Sequence, residues 1–195
     1  MSKRPEKTAQ TKADLEQAFW QLYSQAPLGK ITVAQVCQRA GYNRGTFYLH
    51  YQDLYQLLEE IEDRFLAGMT SCVEGCMSRL AESQSKLARL AALKDVITYY
   101  EKNKSYITVL LGPHGSTDFL LRLKTNLKPL WRRYVISDTG DHTEQEIDLL
   151  LEYTLTGTLF MISRWLQDPG TVSKAQIGHL IYDSAIRDVT LRAAQ

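Results

Sequence analysis

The stretch ITVAQVCQRAGYNRGTFYLHY, residues 31 to 51, constrains the fold more than any other part of the 195-residue chain. Its two apolar-periodic segments are separated by a single glycine, which leaves room only for two short helices around a sharp turn. Val33, Val36, Cys37 and Ala40 fall on one face of a helix that Thr32 can cap, and Gly41 supplies the backbone freedom for the turn. Asn43 is placed to cap the next helix, read here as Asn43 to Tyr51. That helix carries Arg44, Thr46, Tyr48 and His50, while Phe47 and Tyr51, four residues apart, can pin it to the core. The arrangement is a helix-turn-helix, in which one helix braces against the phosphate backbone and the next lies in the major groove. Gly45 is a poor helix former, but a residue without a side chain lets backbone come close to DNA.

The rest of the chain reads as helices from end to end. Leu15, Ala18, Phe19, Leu22 and Tyr23 predict an amphipathic helix over 11–25, closed by a loop with Pro27 and Gly29. Asp53 can cap a long helix with Leu54, Leu57, Leu58, Ile61, Phe65, Met69, Cys72, Cys76 and Leu80 along one side. Further helical patterns cover 87–103 and 105–111, the second ended by Gly112 and Pro113. The next helix carries Phe119, Leu120, Leu123, Leu127, Leu130 and Trp131 inward, with Pro129 expected to kink or split it. After the turn-rich SDTGDH, Thr143 and Glu146 form a capping-box pattern that opens another long helix. Asp168-Pro169-Gly170 closes it, and Ser173 caps a last helix running to about Arg192. No segment alternates with period two, so the expected fold class is all-α, with no sheet. The long Asp53 helix joins an N-terminal three-helix domain, 1–53, to a C-terminal helical domain, 54–195.

Composition agrees with a folded protein and excludes several classes. Hydrophobic residues make up 44% and charged residues 23% of the chain, enough to bury a core. Net charge is +1, but residues 1–53 hold seven Lys or Arg against four acids, a modest basic bias at the helix-turn-helix end. No apolar run approaches the ~20 residues of a membrane span, and no hydrophobic segment follows the N-terminal charges to make a signal peptide. A cytoplasmic location is therefore expected, with no membrane partner. Three cysteines do not suggest a disulfide framework. Cys72 and Cys76, four apart, read as small apolar fillers on a buried stripe, the alternative being a redox pair or half of a metal site. No nucleophile with a base, paired carboxylates, phosphate loop or metal-ligand spacing appears. The chain is read as a non-enzyme that needs no cofactor and no metal.

The motif resembles the DNA-binding signature of the tetracycline-repressor (TetR) family, close to I-T-V-x-x-I-A-x-x-A-G-V-S-x-G-T-F-Y-x-H-F. Thr32, Ala40, Gly41, Gly45, Thr46, Phe47, Tyr48 and His50 match it outright. Asn43 replaces the usual serine with another good cap, and Cys37, Tyr42 and Tyr51 replace other apolar residues. The segments ITVLLGPHGSTDFLLRLK and GTLFMISRWLQDPGTVSKAQIGHLI resemble the C-terminal domain of a TetR subgroup frequent in Firmicutes, typically with L-L-G-x-x-G-x-x-x-F. Together the two resemblances cover nearly the whole chain.

The resemblance implies a homodimeric regulator of transcription, a repressor in the usual case, that binds double-stranded operator DNA with two half-sites and answers to an effector. Arg44 is expected to read a guanine edge bidentately, and Tyr48 to meet a thymine methyl or a phosphate. Gly45 allows close approach, and Thr32, Thr46 and His50 are expected at the DNA backbone, by their match to family positions. One departure stands out: Leu54 occupies the place of a common phosphate-binding lysine, which predicts weaker and less salt-sensitive binding unless N-terminal lysines compensate. Candidates for an effector pocket are Tyr99, Tyr100, Tyr106, His114, Arg122, Trp131, Tyr153 and Arg164. The expected dimer seam is built by Leu149, Tyr153, Gly157 and Phe160 with Ile177, Leu180, Ile181 and Ile186. Two rival readings are a TetR-like activator and a helical hydrophobe- or partner-binding module whose helix-turn-helix is weakened.

Overall fold

The computed structural model describes residues 3–82, 86–112, 115, 117–134, 142–168, 170–181 and 183–184, and among them no strand occurs. In chain order the elements are α1 (Lys3–Tyr23), a 3₁₀ turn (Leu28–Lys30), α2 (Val33–Ala40), α3 (Arg44–Tyr48), α4 (Leu54–Glu82), α5 (Lys86–Leu110), α6 (Thr117–Tyr134), α7 (Glu144–Gln167) and α8 (Lys174–Ile181). The chain divides into two compact units, Met1–Phe65 and Leu66–Gln195, so the first three turns of α4 belong with α1 to α3. His114, Ile186, Pro113, Pro169, most of SDTGDH and the stretch toward Arg192 lie outside the described residues.

In the first unit α1 begins eight residues earlier than its apolar periodicity predicts. Pro5 falls in its first turn, where a missing N–H breaks no helical bond. The predicted inner face is the observed one: Leu15, Ala18, Phe19 and Tyr23 are buried, with Phe19 and Tyr23 stacked at 5.5 Å between ring centroids. Against them pack Val36 and Cys37 of α2 and Leu54, Leu57, Leu58, Ile61 and Phe65 of α4, all buried. Polar contacts tie α4 to α1 as well. Lys12 Nζ lies 2.7 Å from Glu60, and Arg64 donates to Glu16 at 2.5 Å.

In the second unit α6 and α7 run antiparallel, since Lys124 pairs with Glu152, Lys128 with Asp148 and Arg132 with Glu144. Between those polar edges lie Phe119, Leu123 and Leu127 of α6 and Ile147, Leu151 and Leu155 of α7, each at most 4% exposed. α6 continues through Pro129 without a break. α5 is one helix where two were expected. Neither Gly nor Pro interrupts residues 103–105, and Asn103, a frequent helix breaker, returns its side-chain N–H to the Tyr99 carbonyl at 2.9 Å. The end of α5 explains the L-L-G-x-x-G pattern. A Cβ on Gly112 would stand 2.2 Å from the Thr108 carbonyl oxygen and one on Gly115 1.9 Å from that of Leu110, distances no side chain tolerates. The Ser163 hydroxyl of α7 then donates to the Leu111 carbonyl at 2.5 Å, satisfying a helix-end acceptor inside the core. Thr143 and Glu146 make the predicted capping box, and Ser173 with Gln176 caps α8 in the same reciprocal way.

Candidate DNA interface

Each element of the helix-turn-helix is set by local chemistry. Thr32 accepts from the Gln35 N–H while Gln35 Oε1 accepts from the Thr32 N–H at 2.8 Å, a capping box that starts α2. Gly41 ends it at φ 76°, in the left-handed region, and the N–H groups of Gly41 and Tyr42 converge on the Cys37 carbonyl. The Tyr42 hydroxyl donates to Asp14 at 2.7 Å and fastens the turn to α1. Asn43 caps α3 through its side-chain oxygen, which accepts from the Thr46 N–H at 2.8 Å.

α3 is shorter than predicted, ending at Tyr48 rather than Tyr51. Beyond it the His50 N–H turns to the Phe47 carbonyl three residues back, which tightens the chain into the turn before Asp53. Asp53 then caps α4 by accepting from the Gln56 N–H at 2.8 Å. Phe47 and Tyr51, 0% and 1% exposed, hold α3 to the core with ring centroids 5.6 Å apart. The Tyr51 hydroxyl donates to Glu16 at 3.1 Å, and Lys12 sits 5.0 Å over its ring. Burial first, then the neighbouring Glu16 carboxylate, push the Tyr51 hydroxyl far above the ordinary tyrosine range.

With Phe47 inward, the opposite side of α3 faces out. Arg44, Gly45 and Tyr48 are exposed, Thr46 and His50 half-buried, and Thr32 exposed at the head of α2. Gly45 has a local reason as well: a Cβ there would lie 3.2 Å from the Asn43 cap oxygen. Leu54 is buried, turned inward where a lysine would face out, and the residue that emerges beside it is Tyr55. Leu49, absent from the expected contacts, is 82% exposed. Its sequence signal was its place two residues after buried Phe47, about 200° around a helix.

The fold and this exposed recognition helix define an all-helical, helix-turn-helix regulator. Residues 17–61 match the profile described as bacterial regulatory proteins, tetR family, and residues 90–186 that of a transcriptional regulator C-terminal region. The chain belongs to the TetR family and is a transcriptional regulator, not an enzyme. A TetR transcriptional regulator from Streptococcus agalactiae 2603V has the same fold at 22% identity and TM-score 0.59, over 97% of this chain and 94% of that one. The dihydroxyacetone kinase operon activator DhaS is similar at 18% identity and TM-score 0.54, over 90% of this chain and 96% of that one. No curated protein matches the sequence.

The expected pocket residues that fall among the described ones are carried by α5, α6 and α7 of the second unit. Tyr99 packs against α4, its hydroxyl 3.0 Å from where a Cβ on Gly68 would be, and burial pushes that hydroxyl up to about 12. Trp131 is buried, and its indole N–H has no acceptor among the described residues. Tyr106 and Arg122 are half-buried, Arg164 is exposed, and Tyr153 is 81% exposed on the outer face of α7. Tyr100 borders a surface groove of about 470 Å³ with Trp165 and Lys174, which lie too far apart in sequence for any periodicity to join them. Of the expected dimer residues, Leu149, Tyr153, Gly157, Phe160 and Leu180 are exposed and Ile181 is half-buried. Ile177 faces inward, 8% exposed, and packs α8 within its own chain. Burial raises the pKa of the Cys37, Cys72 and Cys76 thiols, the environment of inert fillers rather than reactive thiolates. No described helix is long and apolar enough to cross a membrane.

Proposed function

We propose that this regulator is a cytoplasmic repressor that binds a two-fold symmetric operator as a homodimer and releases it when an effector occupies the C-terminal domain. Residues 1–53 are the DNA-binding domain in this reading, and 54–195 carry the effector and dimer functions. Arg44 reads a base edge and Tyr48 a thymine methyl or a phosphate, with Thr32, Thr46 and His50 at the backbone and Gly45 allowing close approach. The observation that carries the reading is the outward face of α3, where Arg44, Gly45 and Tyr48 are exposed while Phe47 is fully buried. The weakened-module alternative rests on Leu54 alone, and the buried side chain of Leu54 leaves that outward face intact.

Selection from a random DNA library, followed by fluorescence anisotropy on the winning sequence, tests the proposal. A palindrome should emerge whose binding falls as salt rises. Arg44→Ala should weaken it by about 5- to 150-fold, the equivalent of ~1–3 kcal/mol, and relax preference at one position per half-site. Failure to enrich any palindrome, with only salt-insensitive binding left, sinks the reading.

The effector part draws support from Trp131, whose buried indole N–H has no acceptor among the described residues, a loss of ~1–3 kcal/mol that a ligand acceptor would recover. Tyr99, Tyr100, Tyr106 and Arg122 remain the other candidates. An activator is the second reading, favoured by the shared fold with DhaS, whose name is that of an operon activator. Transcription from the selected operator in vitro separates the two by sign.

A further inference from the structure

The groove at the end of α7 combines features that neither the DNA contacts nor the core account for. Tyr100, Lys104 and Thr108 of α5, Trp165 of α7, Val172 and Lys174 line it. It is a surface groove open to solvent on one side, with a volume of about 470 Å³. The Tyr100 and Trp165 rings stand 6.0 Å apart at 47°, making an angled aromatic wall. Trp165 is fixed there, because its indole N–H donates to the Val172 carbonyl at 2.8 Å and pins the turn between α7 and α8.

The two charged side chains that line this groove are both cationic, with Glu101 paired to one of them from beside it. Lys104 and Lys174 line it and no carboxylate does. Lys174 is the first residue of α8, after the Ser173 cap, and a cation there lies against the positive end of the helix dipole. The sequence thus places positive charge where helix stability disfavours it. Glu101 offsets this by binding Lys174 Nζ, which also lies 5.4 Å over the Tyr100 ring. Lys174 thus stands at an aromatic surface with Glu101 as its counter-charge.

We propose that this groove binds a flat aromatic carboxylate, its ring against Tyr100 and Trp165 and its carboxylate between Lys104 and Lys174. Glu101 is then the internal competitor of the ligand for Lys174. As the site of the effector, the groove rests on the effector-release reading above; as a binding site it stands alone.

Calorimetric titration of the full-length protein with 2-naphthoate tests it, with uncharged 2-naphthamide as comparison. Naphthoate should saturate below about 1 mM and bind at least five-fold tighter than the amide. Lys104→Met and Lys174→Met should each weaken naphthoate about three- to five-fold and leave the amide unchanged, and Tyr100→Ala should weaken both. Glu101→Gln should tighten naphthoate several-fold, a gain that misfolding cannot imitate. Equal binding of acid and amide, no saturation, or naphthoate binding indifferent to all four substitutions overturns the proposal. Addition of naphthoate to the DNA complex separates the two readings. Binding in the groove without DNA release upholds the ligand class and removes the groove as effector site, whereas DNA release that survives Lys104→Met and Lys174→Met places the effector elsewhere.

Discussion

Leu54 and Tyr55 are neighbours with opposite roles. Leu54, 7% exposed, is packed inside the first unit, so its truncation leaves a cavity as well as losing apolar contact. Leu54→Ala should cost about 2–4 kcal/mol in urea unfolding. Tyr55, 68% exposed, has little to lose, and Tyr55→Ala should change stability by no more than ~0.5 kcal/mol. A small effect at Leu54 would mean that the inward orientation is wrong and that the position is free to face DNA, as a lysine would. The residue that looks like a lost phosphate contact in the family pattern is therefore a core residue of this head. Asn43 shows the opposite case, where a substitution keeps the local physics: its amide oxygen caps α3 as a serine hydroxyl would, while Gly45 leaves that cap room.

At the scale of elements, α4 is joined to the head by more than chain continuity. Glu16 accepts from Tyr51 and Arg64, and Lys12 reaches both Glu60 and the Tyr51 ring, so one buried phenol connects α1, the recognition turn and α4. The ion pairs are partly exposed and worth little alone, but Tyr51 is 1% exposed and its hydrogen bond to Glu16 is part-buried. Tyr51→Phe should cost about 1–2 kcal/mol. The same chemistry gives a pH signature. Tyr51 and Tyr99 have folded pKa values raised above the ordinary 10.0, Tyr99 to about 12. The unfolded chain therefore releases these protons first, and the stability they contribute is complete below pH 10 and declines as pH rises toward 12. Tyr99→Phe should make that decline shallower by up to one proton in the slope, read from urea midpoints across this interval. An unchanged slope would show that Tyr99 is not buried as described.

Which elements were legible in the sequence follows from where their determinants lie. Thr32, Asn43, Asp53, Thr143 and Ser173 each act within three or four residues, so caps and helix starts could be read locally. The outward set on α3 could also be read, because Phe47 and Tyr51 reveal the inner face. The unbroken α5 was missed because Asn103 is a helix breaker by propensity and is satisfied here within the helix. The groove was invisible for a different reason. Tyr100, Trp165 and Lys174 meet only after α5, α7 and α8 pack, and no one-dimensional pattern connects them.

At the scale of the whole molecule, the outer face of α7 is the feature the single chain leaves unexplained. Leu149, Tyr153 and Phe160, all more than 60% exposed, share a stripe with Gly157 while Leu151, Leu155 and Leu159 face inward. A contiguous apolar stripe of that kind, with the half-exposed Leu180 of α8, is what a two-fold helical seam requires. Gly157 gives the sharpest test, because a Cβ there meets no atom within 4 Å in the monomer. Gly157→Leu therefore introduces no clash inside the chain and replaces a poor helix former, which should stabilise the isolated protomer by about 0.5–1 kcal/mol. In a close-packed seam the same side chain would hold the two helices apart. Sedimentation should then show dimer association weakened by a hundred-fold or more, with operator affinity falling alongside because two half-sites no longer act together. Substitution at Ile177 should behave differently, costing protomer stability first, because that side chain is already buried in its own chain. A Gly157→Leu protein that remains a tight dimer would place the seam on another face and leave the α7 stripe without its partner.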